Sequence, residues 1–390
     1  MNSKPSPHLF LFAGEKSGDL HGAPLLAALQ KLLPETKFSG VAGPEMRKFP
    51  IEPVLRMEDF EVMGFTDVIY SLPKLWKQFY VVRDHIIQKN PDGVVLIDYP
   101  GFNLRLAKAL RKQGYKGKII QYISPTVWAH GKGRIDTMCA HLDLLMTIYP
   151  FEQVCYEDTP LKVQYVGNPL QEYIKHYQYQ ENWKNELGIP EDASILSLFP
   201  GSRESEIVRN FPVQLEAAEM LLNQFSDHIL AISCSSSEHK TVIEKLLRKS
   251  SLSINKNVFF VPRKFNYELM RDSRTAIAKS GTVTLELALH RCPTVVTYKL
   301  TALNRFIATY ILKLNLSHFC IVNILAGKEV FPELIAHRPT AKNLYEHLCQ
   351  LIQEGQKRSE CIINCNEVSR MLSSSNASQL AAQAVVEALQ

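Results

Sequence analysis

Short apolar runs alternate with longer amphipathic segments along most of this chain. Residues 8–13, 92–98 and 118–123 are compact apolar runs between polar residues, a pattern typical of strands buried in a parallel sheet. Residues 20–32 and 104–113, which follow two of these runs, have the spacing of amphipathic helices. Strands that alternate with helices in this way predict an α/β fold built on a doubly wound parallel sheet.

The same alternation begins again after a polar, tyrosine-rich stretch at residues 170–187. Two Rossmann-like units that face each other across a cleft are therefore expected, with a first domain at 1–175 and a second at 176–355. Residues 356–390 are expected to form helices that pack on the first domain or on a dimer partner. The remaining strands are predicted at residues 143–148, 162–166, 195–199, 229–232, 258–261, 275–278 and 294–297.

Length and composition agree with two soluble domains. The chain has 390 residues, of which 46% are hydrophobic and 21% charged. The formal net charge is +5, but basic residues are scattered among acidic ones. Because nucleic-acid-binding tails carry runs of basic residues, no nucleic-acid partner is expected.

Neither the cysteines nor the histidines have the spacing of a metal site. The eight cysteines include no Cys-x-x-Cys pair, which makes a zinc ribbon or a disulfide framework unexpected and favours reduced thiols in a cytosolic protein. His21, His130 and His290 show no metal-ligand spacing and are interpreted as structural or incidental. No apolar run reaches about 18 residues, the length of a membrane-spanning helix. Any membrane contact is therefore expected from the side.

A strand-to-helix turn at residues 195–206 predicts an anion site. The apolar run ends at Pro200-Gly201, and a polar segment leads into a helix. Such a turn directs free backbone N–H groups, here near Ser202, toward the space beyond the strand. The guanidinium of Arg203 offers several donors suited to a phosphate. The alternative is an ordinary turn with a solvated arginine.

A second turn of this kind lies at residues 278–286. Ser280-Gly281-Thr282 opens a helix after a strand, and Glu286 lies one helical turn beyond Thr282. Small residues and helix N–H groups suit a diphosphate, while a carboxylate suits ribose hydroxyls. A capped helix with a solvent-facing Glu286 is the alternative. Together with Arg203, the pattern favours a sugar nucleotide.

In the first half, Asp98 is placed at the carboxyl end of a predicted strand. In open α/β sheets this edge faces the ligand crevice. The alternative is a structural carboxylate that caps the next helix. The loop at residues 14–19 also joins a strand to a helix, but it lacks the Gly-x-Gly-x-x-Gly pattern of dinucleotide-binding folds.

Apolar residues at helical spacing mark a candidate membrane surface around residues 72–80, where Lys74 and Lys77 are interleaved. A core-facing helix is the equal alternative to a patch that holds acyl chains or enters a bilayer. Residues 300–316 could form a second such segment. The predicted contacts are Met63, Phe65, Leu72, Leu75, Trp76 and Phe79.

A series of short blocks identifies a family resemblance. The blocks are residues 13–19, 40–44, 62–64, 97–103, 122–129, 150–152, 166–167, 200–203, 280–282 with Glu286, and 323–327. In their order and spacing they resemble the lipid A disaccharide synthase family across nearly the whole chain.

The resemblance implies an inverting, metal-independent glycosyltransferase of the GT-B type that needs no cofactor. Its members transfer 2,3-diacylglucosamine from UDP to the 6-hydroxyl of 2,3-diacylglucosamine 1-phosphate, giving a β-1,6-linked disaccharide phosphate and UDP. The family works as a peripheral enzyme on the cytoplasmic face of the Gram-negative inner membrane. The first domain would then bind acceptor and membrane, and the second the UDP-sugar. A homodimer is also suggested.

The resemblance also implies roles for particular residues. Asp98 is expected to be the base that takes the proton of the attacking hydroxyl, with Glu15 as the second choice. The expected acceptor contacts are Ser17, Asp19, Asn103 and Trp128. The expected UDP contacts are Ser202, Arg203, Ser280, Gly281, Thr282 and Glu286, together with Asn323, which could instead cap a turn.

Three positions depart from the family pattern. Gly101 stands where the family often has Asp, His130-Gly131 where it often has Trp-Arg, and Cys320 at the start of a segment that is commonly Ser-Leu-Pro-Asn. Two rival functions stay open at this point. One is another UDP-sugar transferase or epimerase of the same fold, and the other is a non-catalytic binding relative.

Overall fold

This computed structural model describes residues 7–60, 67–129, 131, 133–299, 317–335, 339–372 and 376–390, with only the backbone described at 67–72. The chain divides into two compact units. The first consists of Met1–Lys175 and Leu372–Gln390, and the second of His176–Met371. Among the described helices, none is both long and apolar enough to cross a membrane.

The first unit contains a parallel sheet with the strand order β3-β2-β1-β4-β5-β6-β7. Its strands are β1 His8–Ala13, β2 Lys37–Ala42, β3 Glu52–Arg56, β4 Gly93–Ile97, β5 Lys118–Tyr122, β6 Leu144–Thr147 and β7 Val163–Tyr165. Its helices are α1 Lys16–Leu32, α2 Asp67–Lys89, α3 Pro100–Lys112, α4 Arg134–His141, α5 Pro169–Lys175 and, from the C-terminal segment, α14 Ala377–Leu389.

The second unit repeats this plan, with the strand order β10-β9-β8-β11-β12-β13. Its strands are β8 Ser194–Phe199, β9 His228–Cys234, β10 Val258–Pro262, β11 Ser273–Lys279, β12 Thr294–Tyr298 and β13 Glu333–Ile335. Its helices are α6 Trp183–Glu186, α7 Glu204–Gln224, α8 Ser237–Leu247, α9 Asn266–Asp272, α10 Val283–Leu289, α11 Ile321–Ala326, α12 Ala341–Ile352 and α13 Gln356–Met371.

In each sheet the first strand of the unit is a central strand, and the strand order runs outward from it in both directions. This order creates a switch point between two neighbouring strands. In the first sheet β1 lies beside β4, with Ala13 opposite Ile97. In the second sheet β8 lies beside β11, with Phe199 opposite Ala278. The loops that follow these strands therefore leave the sheet side by side. Ligands of open α/β sheets bind at this place, and both sheets bring predicted site residues to it.

Burial on both faces explains why the strands are continuous apolar runs. In β1, Leu9 and Leu11 lie in one core cluster, whereas Phe10 and Phe12 lie in another. The first cluster is covered by α1 and α14, and the second by α2 and α3. A parallel sheet sandwiched in this way has no polar face. The predicted fold class, two doubly wound Rossmann-like units, is confirmed.

The strand pattern misses β2, β3 and β13. β2 reads Lys-Phe-Ser-Gly-Val-Ala and is interrupted by Ser39 and Gly40. Gly40 is required there because a Cβ atom would lie 1.9 Å from the carbonyl oxygen of Leu11. β3 is an edge strand with exposed residues, and β13 has three residues. None of these forms the compact apolar run by which the other strands are recognised.

The C-terminal segment divides differently from the predicted region 356–390. α13 belongs to the second unit, which extends to Met371 instead of 355. Only the last segment returns to the first unit, where α14 packs against α1 through Ala381 and Val385. The backbone N–H and hydroxyl of Ser378 also donate to the carboxylate of Glu172, at 2.8 and 2.6 Å.

Candidate active site

Asp98 lies in a strained turn directly after β4. Asp98 and Tyr99 both have left-handed backbone conformations, with φ of 52° and 39°. This conformation costs roughly 1–3 kcal/mol for a residue other than glycine, and it persists only where the surroundings enforce it. The carbonyl oxygen of Asp98 accepts hydrogen bonds from the amides of Asn103, at 2.6 Å, and Gln121, at 2.9 Å. Two buried amides therefore hold the turn.

The same turn brings the Asp98 carboxylate to α1. Ser17 Oγ donates to Asp98 Oδ2 across 2.7 Å. No hydrogen bond to Oδ1 is found among the described residues. Asp98 is thus held through one oxygen, and the other is available to accept a proton. Asn103, predicted to contact the acceptor, is fully buried and positions this turn instead.

Other titratable groups surround Asp98. Partial burial raises the pKa of Glu15, and the negative charge of Asp98 raises it further. Burial lowers the pKa of His21, while Asp98 opposes this change. The two carboxyl groups repel each other at one sheet edge, and protonation of Glu15 relieves the repulsion. Both predicted base candidates therefore lie at this switch point.

Asp19, also predicted as an acceptor contact, supports a backbone loop. It is 2% exposed. Its Oδ1 accepts from the backbone N–H groups of Gly43, at 2.9 Å, and Met46, at 3.0 Å, and its Oδ2 accepts from that of Glu45, at 2.8 Å. A Cβ atom at position 43 would lie 2.4 Å from Asp19. The contacts favour a structural role for Asp19.

Trp128 lies beside a buried carboxyl group that sequence reasoning missed. Its ring makes an edge contact with Phe151 at 5.4 Å. Glu152 is 2% exposed and accepts from the backbone N–H groups of Ile148, at 3.2 Å, and Tyr149, at 3.1 Å. Burial raises the pKa of Glu152 to about 7, against the lowering effect of these donors and of Trp128. The signal in the sequence was a Glu at the third position of a short helix, as in a capping box.

In the second unit, the β8–α7 turn is built around a required glycine. Gly201 has φ 125°, and a Cβ atom there would lie 2.9 Å from Glu206 Oε2. Ser202 and Arg203 are exposed beyond it, at the N-terminus of α7. Among the described residues no carboxylate pairs with Arg203. The Arg203 guanidinium therefore lies beside the first backbone N–H groups of α7, an arrangement that can bind an anion, and the UDP contact stays a prediction.

The neighbouring β11–α10 turn is tied to the first by an ion pair. Lys279 Nζ lies 3.2 Å from Glu206 Oε1, and Glu206 is the residue that faces Gly201. Lys279 was not predicted, although it directly precedes the Ser280-Gly281-Thr282 sequence. The N–H of Ser280 donates to the carbonyl of Thr297 at 3.0 Å and is occupied by the sheet. Gly281 and Thr282 are exposed.

Glu286 is half-buried, whereas the alternative considered from the sequence had its side chain facing solvent. Its Oε1 accepts from the hydroxyl of Tyr267 across 3.1 Å. Burial raises the pKa of Glu286, while the Tyr267 hydrogen bond and the charge of Arg263 lower it. His290, one turn further on, contacts the Tyr179 hydroxyl at 3.0 Å.

Asn323, considered as either a UDP contact or a turn cap, caps a turn in the structure. Its side chain is fully buried. Oδ1 accepts from the N–H groups of Val330, at 2.8 Å, and Phe331, at 2.9 Å, while Nδ2 donates to the carbonyl of Phe331 and to Glu333. All its hydrogen-bonding groups therefore serve the protein interior.

A family model described as Lipid-A-disaccharide synthetase matches residues 9–387. The chain belongs to the lipid-A-disaccharide synthase family. The lipid-A-disaccharide synthase of Geobacter sulfurreducens is 32% identical over 389 residues, which covers 100% of this chain and 99% of that protein. The enzyme of Chlamydia muridarum is 40% identical over 326 residues, 84% of this chain and 53% of that protein. The chain thus spans about half the length of this chlamydial relative.

Solved structures share the fold of this chain. A Staphylococcus aureus MnaA–UDP co-structure has a TM-score of 0.64 at 14% identity, and it covers 96% of this chain and 94% of its own. The UDP-GlcNAc 2-epimerase of Neisseria meningitidis, bound to UDP-GlcNAc, has a TM-score of 0.64 at 14% identity, with 98% and 100% covered. Both likenesses concern the fold, which is of the GT-B type.

The residues predicted to contact the membrane differ in exposure along α2, and the membrane contact itself stays a prediction. Trp76 and Tyr80 are 48% and 46% exposed. Phe79, predicted as a membrane contact, is 7% exposed, and its ring centre lies 5.4 Å from that of Phe102. Phe79 therefore belongs to the core. Leu75 is half-buried. Met63, Phe65, His130, residues 300–316 and the side chain of Leu72 lie outside the described part of the chain.

Proposed function

We propose that this protein is an inverting glycosyltransferase that joins two acylated glucosamines. It would transfer 2,3-diacylglucosamine from UDP to the 6-hydroxyl of 2,3-diacylglucosamine 1-phosphate and release UDP. The observation that carries the proposal is the family match over residues 9–387, which includes the turns after both switch-point strand pairs. Relatives named lipid-A-disaccharide synthase support the same assignment.

The first unit would supply the base. The 6-hydroxyl must lose a proton as it attacks the anomeric carbon, and Asp98 is our choice to receive it. The left-handed turn and the Ser17 hydrogen bond restrict the Asp98 carboxylate, so that Oδ1 need not reorganise before reaction. Glu15 is the alternative base, since it lies at the same sheet edge and since burial and the charge of Asp98 raise its pKa.

The second unit would bind the UDP group. Negative charge grows on the diphosphate as the glycosidic bond breaks, and donors already in place there stabilise the transition state. Arg203 and the backbone N–H groups near Ser202 form such a set. Glu286, held by Tyr267, would accept hydrogen bonds from the ribose hydroxyls. The Lys279–Glu206 ion pair would hold the β8–α7 and β11–α10 turns in a fixed position relative to each other.

We also propose peripheral association with the cytoplasmic face of the inner membrane. Both substrates carry acyl chains, and the exposed rings of Trp76 and Tyr80 lie one helical turn apart on α2. Lys74 and Lys77 are exposed beside them, and the Arg83 guanidinium lies 4.7 Å from the Tyr80 ring centre. Aromatic rings flanked by cations suit an anionic lipid surface. The homodimer stays a prediction, which light scattering of the purified protein can test.

Mass spectrometry after incubation with both substrates and EDTA tests the reaction. A disaccharide phosphate together with UDP is the expected result. UDP without the disaccharide would indicate another acceptor, and an epimerised UDP-sugar would indicate the epimerase alternative. UDP binding with no product would leave a binding protein. Asp98→Asn in the same assay controls for a contaminating enzyme.

A further inference from the structure

A basic cavity opens next to the Asp98 turn and has no assigned role. Its volume is about 310 Å³, and it lies between α3 and α4. The floor includes the buried side chain of Leu104. Its lining residues are Pro100, Gly101, Leu104, Arg105, Lys108, Arg134 and Thr137.

The charge of this cavity has a single sign. Arg105 and Lys108 lie one turn apart on α3, and Arg134 is the first residue of α4. No carboxylate lines the cavity, and none of the three cations forms an ion pair within the described residues. Arg111, on the same helix, is by contrast paired with Asp143. Unpaired like charges one turn apart repel each other, and an anion with more than one negative charge would remove that repulsion.

Chemistry and shape favour a phosphate. Two guanidinium groups and one ammonium provide a planar fork of donors and a mobile donor, the combination that phosphate oxygens accept. The hydroxyl of Thr137, one turn beyond Arg134, adds a neutral donor. The volume exceeds that of a phosphate alone, so the cavity can also hold part of the group that carries it.

The position of the cavity relates it to the candidate base. Pro100 and Gly101, which line it, begin α3 two and three residues after Asp98. At about 1.5 Å per residue, Arg105 and Lys108 lie about 7.5 and 12 Å beyond Pro100 along the axis of α3. A ligand with a hydroxyl at one end and a phosphate at the other could reach both places. Gly101 has no heavy atom within 4 Å of its ideal Cβ position, so it leaves this entrance open and uncharged.

We propose that Arg105, Lys108 and Arg134 form the subsite for the phosphate monoester of the acceptor. The proposal deepens the glycosyltransferase assignment and rests on it. The cavity would fix the acceptor by its phosphate while the distant hydroxyl meets Asp98. A phospholipid headgroup offers similar chemistry, and the experiment separates the two sources.

Kinetics of the triple variant R105Q/K108Q/R134Q test the subsite in the intact protein. We expect the KM for the acceptor to rise at least tenfold, because charge-assisted hydrogen bonds are lost. The KM for the UDP-sugar and the kcat at saturating acceptor should change less than twofold. K112Q removes a charge from the exposed end of the same helix, outside the cavity, and should leave all three values unchanged.

A direct titration separates this proposal from the proposed reaction. Glucosamine 1-phosphate, which is water-soluble, is titrated into the wild-type protein and followed by its ³¹P resonance. Binding that is lost in the triple variant and retained in K112Q supports the subsite, even if no disaccharide is formed and the glycosyltransferase assignment fails. Unchanged binding and acceptor KM in the triple variant overturn it. If the triple variant loses only its sedimentation with phosphatidylglycerol vesicles, the cavity binds a lipid headgroup. This result also overturns the proposal.

Discussion

The hydroxyl group of Ser17 donates a 2.7 Å hydrogen bond to Oδ2 of Asp98, a residue 81 positions away. The two residues meet because β1 and β4 are neighbours at the switch point of the sheet. One lies in the first turn of α1 and the other in the left-handed turn that follows β4. The bond orients the carboxylate on which the proposed chemistry depends.

Asp98→Asn should remove turnover while leaving UDP binding intact. Asparagine keeps the shape of the turn but cannot accept a proton, and general bases contribute about 10²- to 10⁴-fold in rate. The measurements are kcat by product formation and the Kd of UDP by calorimetry. Ser17→Ala, which only loosens the carboxylate, should have a smaller effect. Activity retained in Asp98→Asn and lost in Glu15→Gln would transfer the role of base to Glu15.

Arg203→Ala should weaken UDP binding by about tenfold, because a charge-assisted hydrogen bond to the diphosphate is lost. Calorimetric titration with UDP measures the effect. Arg248→Ala, at the exposed C-terminus of α8, is the matched control for the loss of one positive charge. Equal affinities of the Arg203 variant and the wild type would mean that the β8–α7 turn is not the diphosphate site.

Asp19→Ala should destabilise the first unit without a specific effect on substrate affinity. Three backbone N–H groups lose their acceptor, at a cost of roughly 3 kcal/mol in the free energy of unfolding. Urea denaturation measures this change, and Asp136→Ala, at an exposed position on α4, should cost nearly nothing. An Asp19 variant with normal stability and a raised acceptor KM would restore the predicted substrate contact.

Glu152 should make stability depend on pH. Its pKa rises from 4.5 to about 7 on folding, so between these values the folded state binds more protons than the unfolded state. The free energy of unfolding therefore falls as pH rises through this window and stays lower above it. The glutamine side chain in Glu152→Gln is neutral at every pH. At pH 8 the free energy of unfolding of this variant should exceed that of the wild type by a few kcal/mol at most. Urea titrations at pH 5 and pH 8 compare the two proteins, and an unchanged pH slope in the variant would contradict the assignment.

Trp76→Asp should reduce sedimentation with anionic vesicles several-fold, because a charge replaces an exposed ring that would enter the bilayer interface. Ile363→Asp alters a comparably exposed apolar residue on α13 and should leave sedimentation unchanged. Equal loss in both variants would point to a general surface effect, and no loss in Trp76→Asp would remove α2 from the membrane surface.

Much of the candidate site could be located from the sequence, because its signals are local. Arg203 and Gly201 belong to one strand-to-helix turn, and residues 280–286 belong to another. The roles of Asp19 and Asn323 could not be assigned in this way. Their partners, Gly43 and Val330 among them, belong to loops whose position depends on the packing of other elements.

The sequence by itself determined the alternation of strands and helices, the fold class and the turns that carry polar residues, since periodicity and turn chemistry act over a few neighbouring residues. Only the tertiary structure decided which side chains meet. It brought Ser17 to Asp98 and Lys279 to Glu206, and it held Asp98 in a left-handed turn without a glycine. It also buried Glu152 deeply enough to raise its pKa. These outcomes depend on strand order and burial, which arise from contacts between residues far apart in the chain.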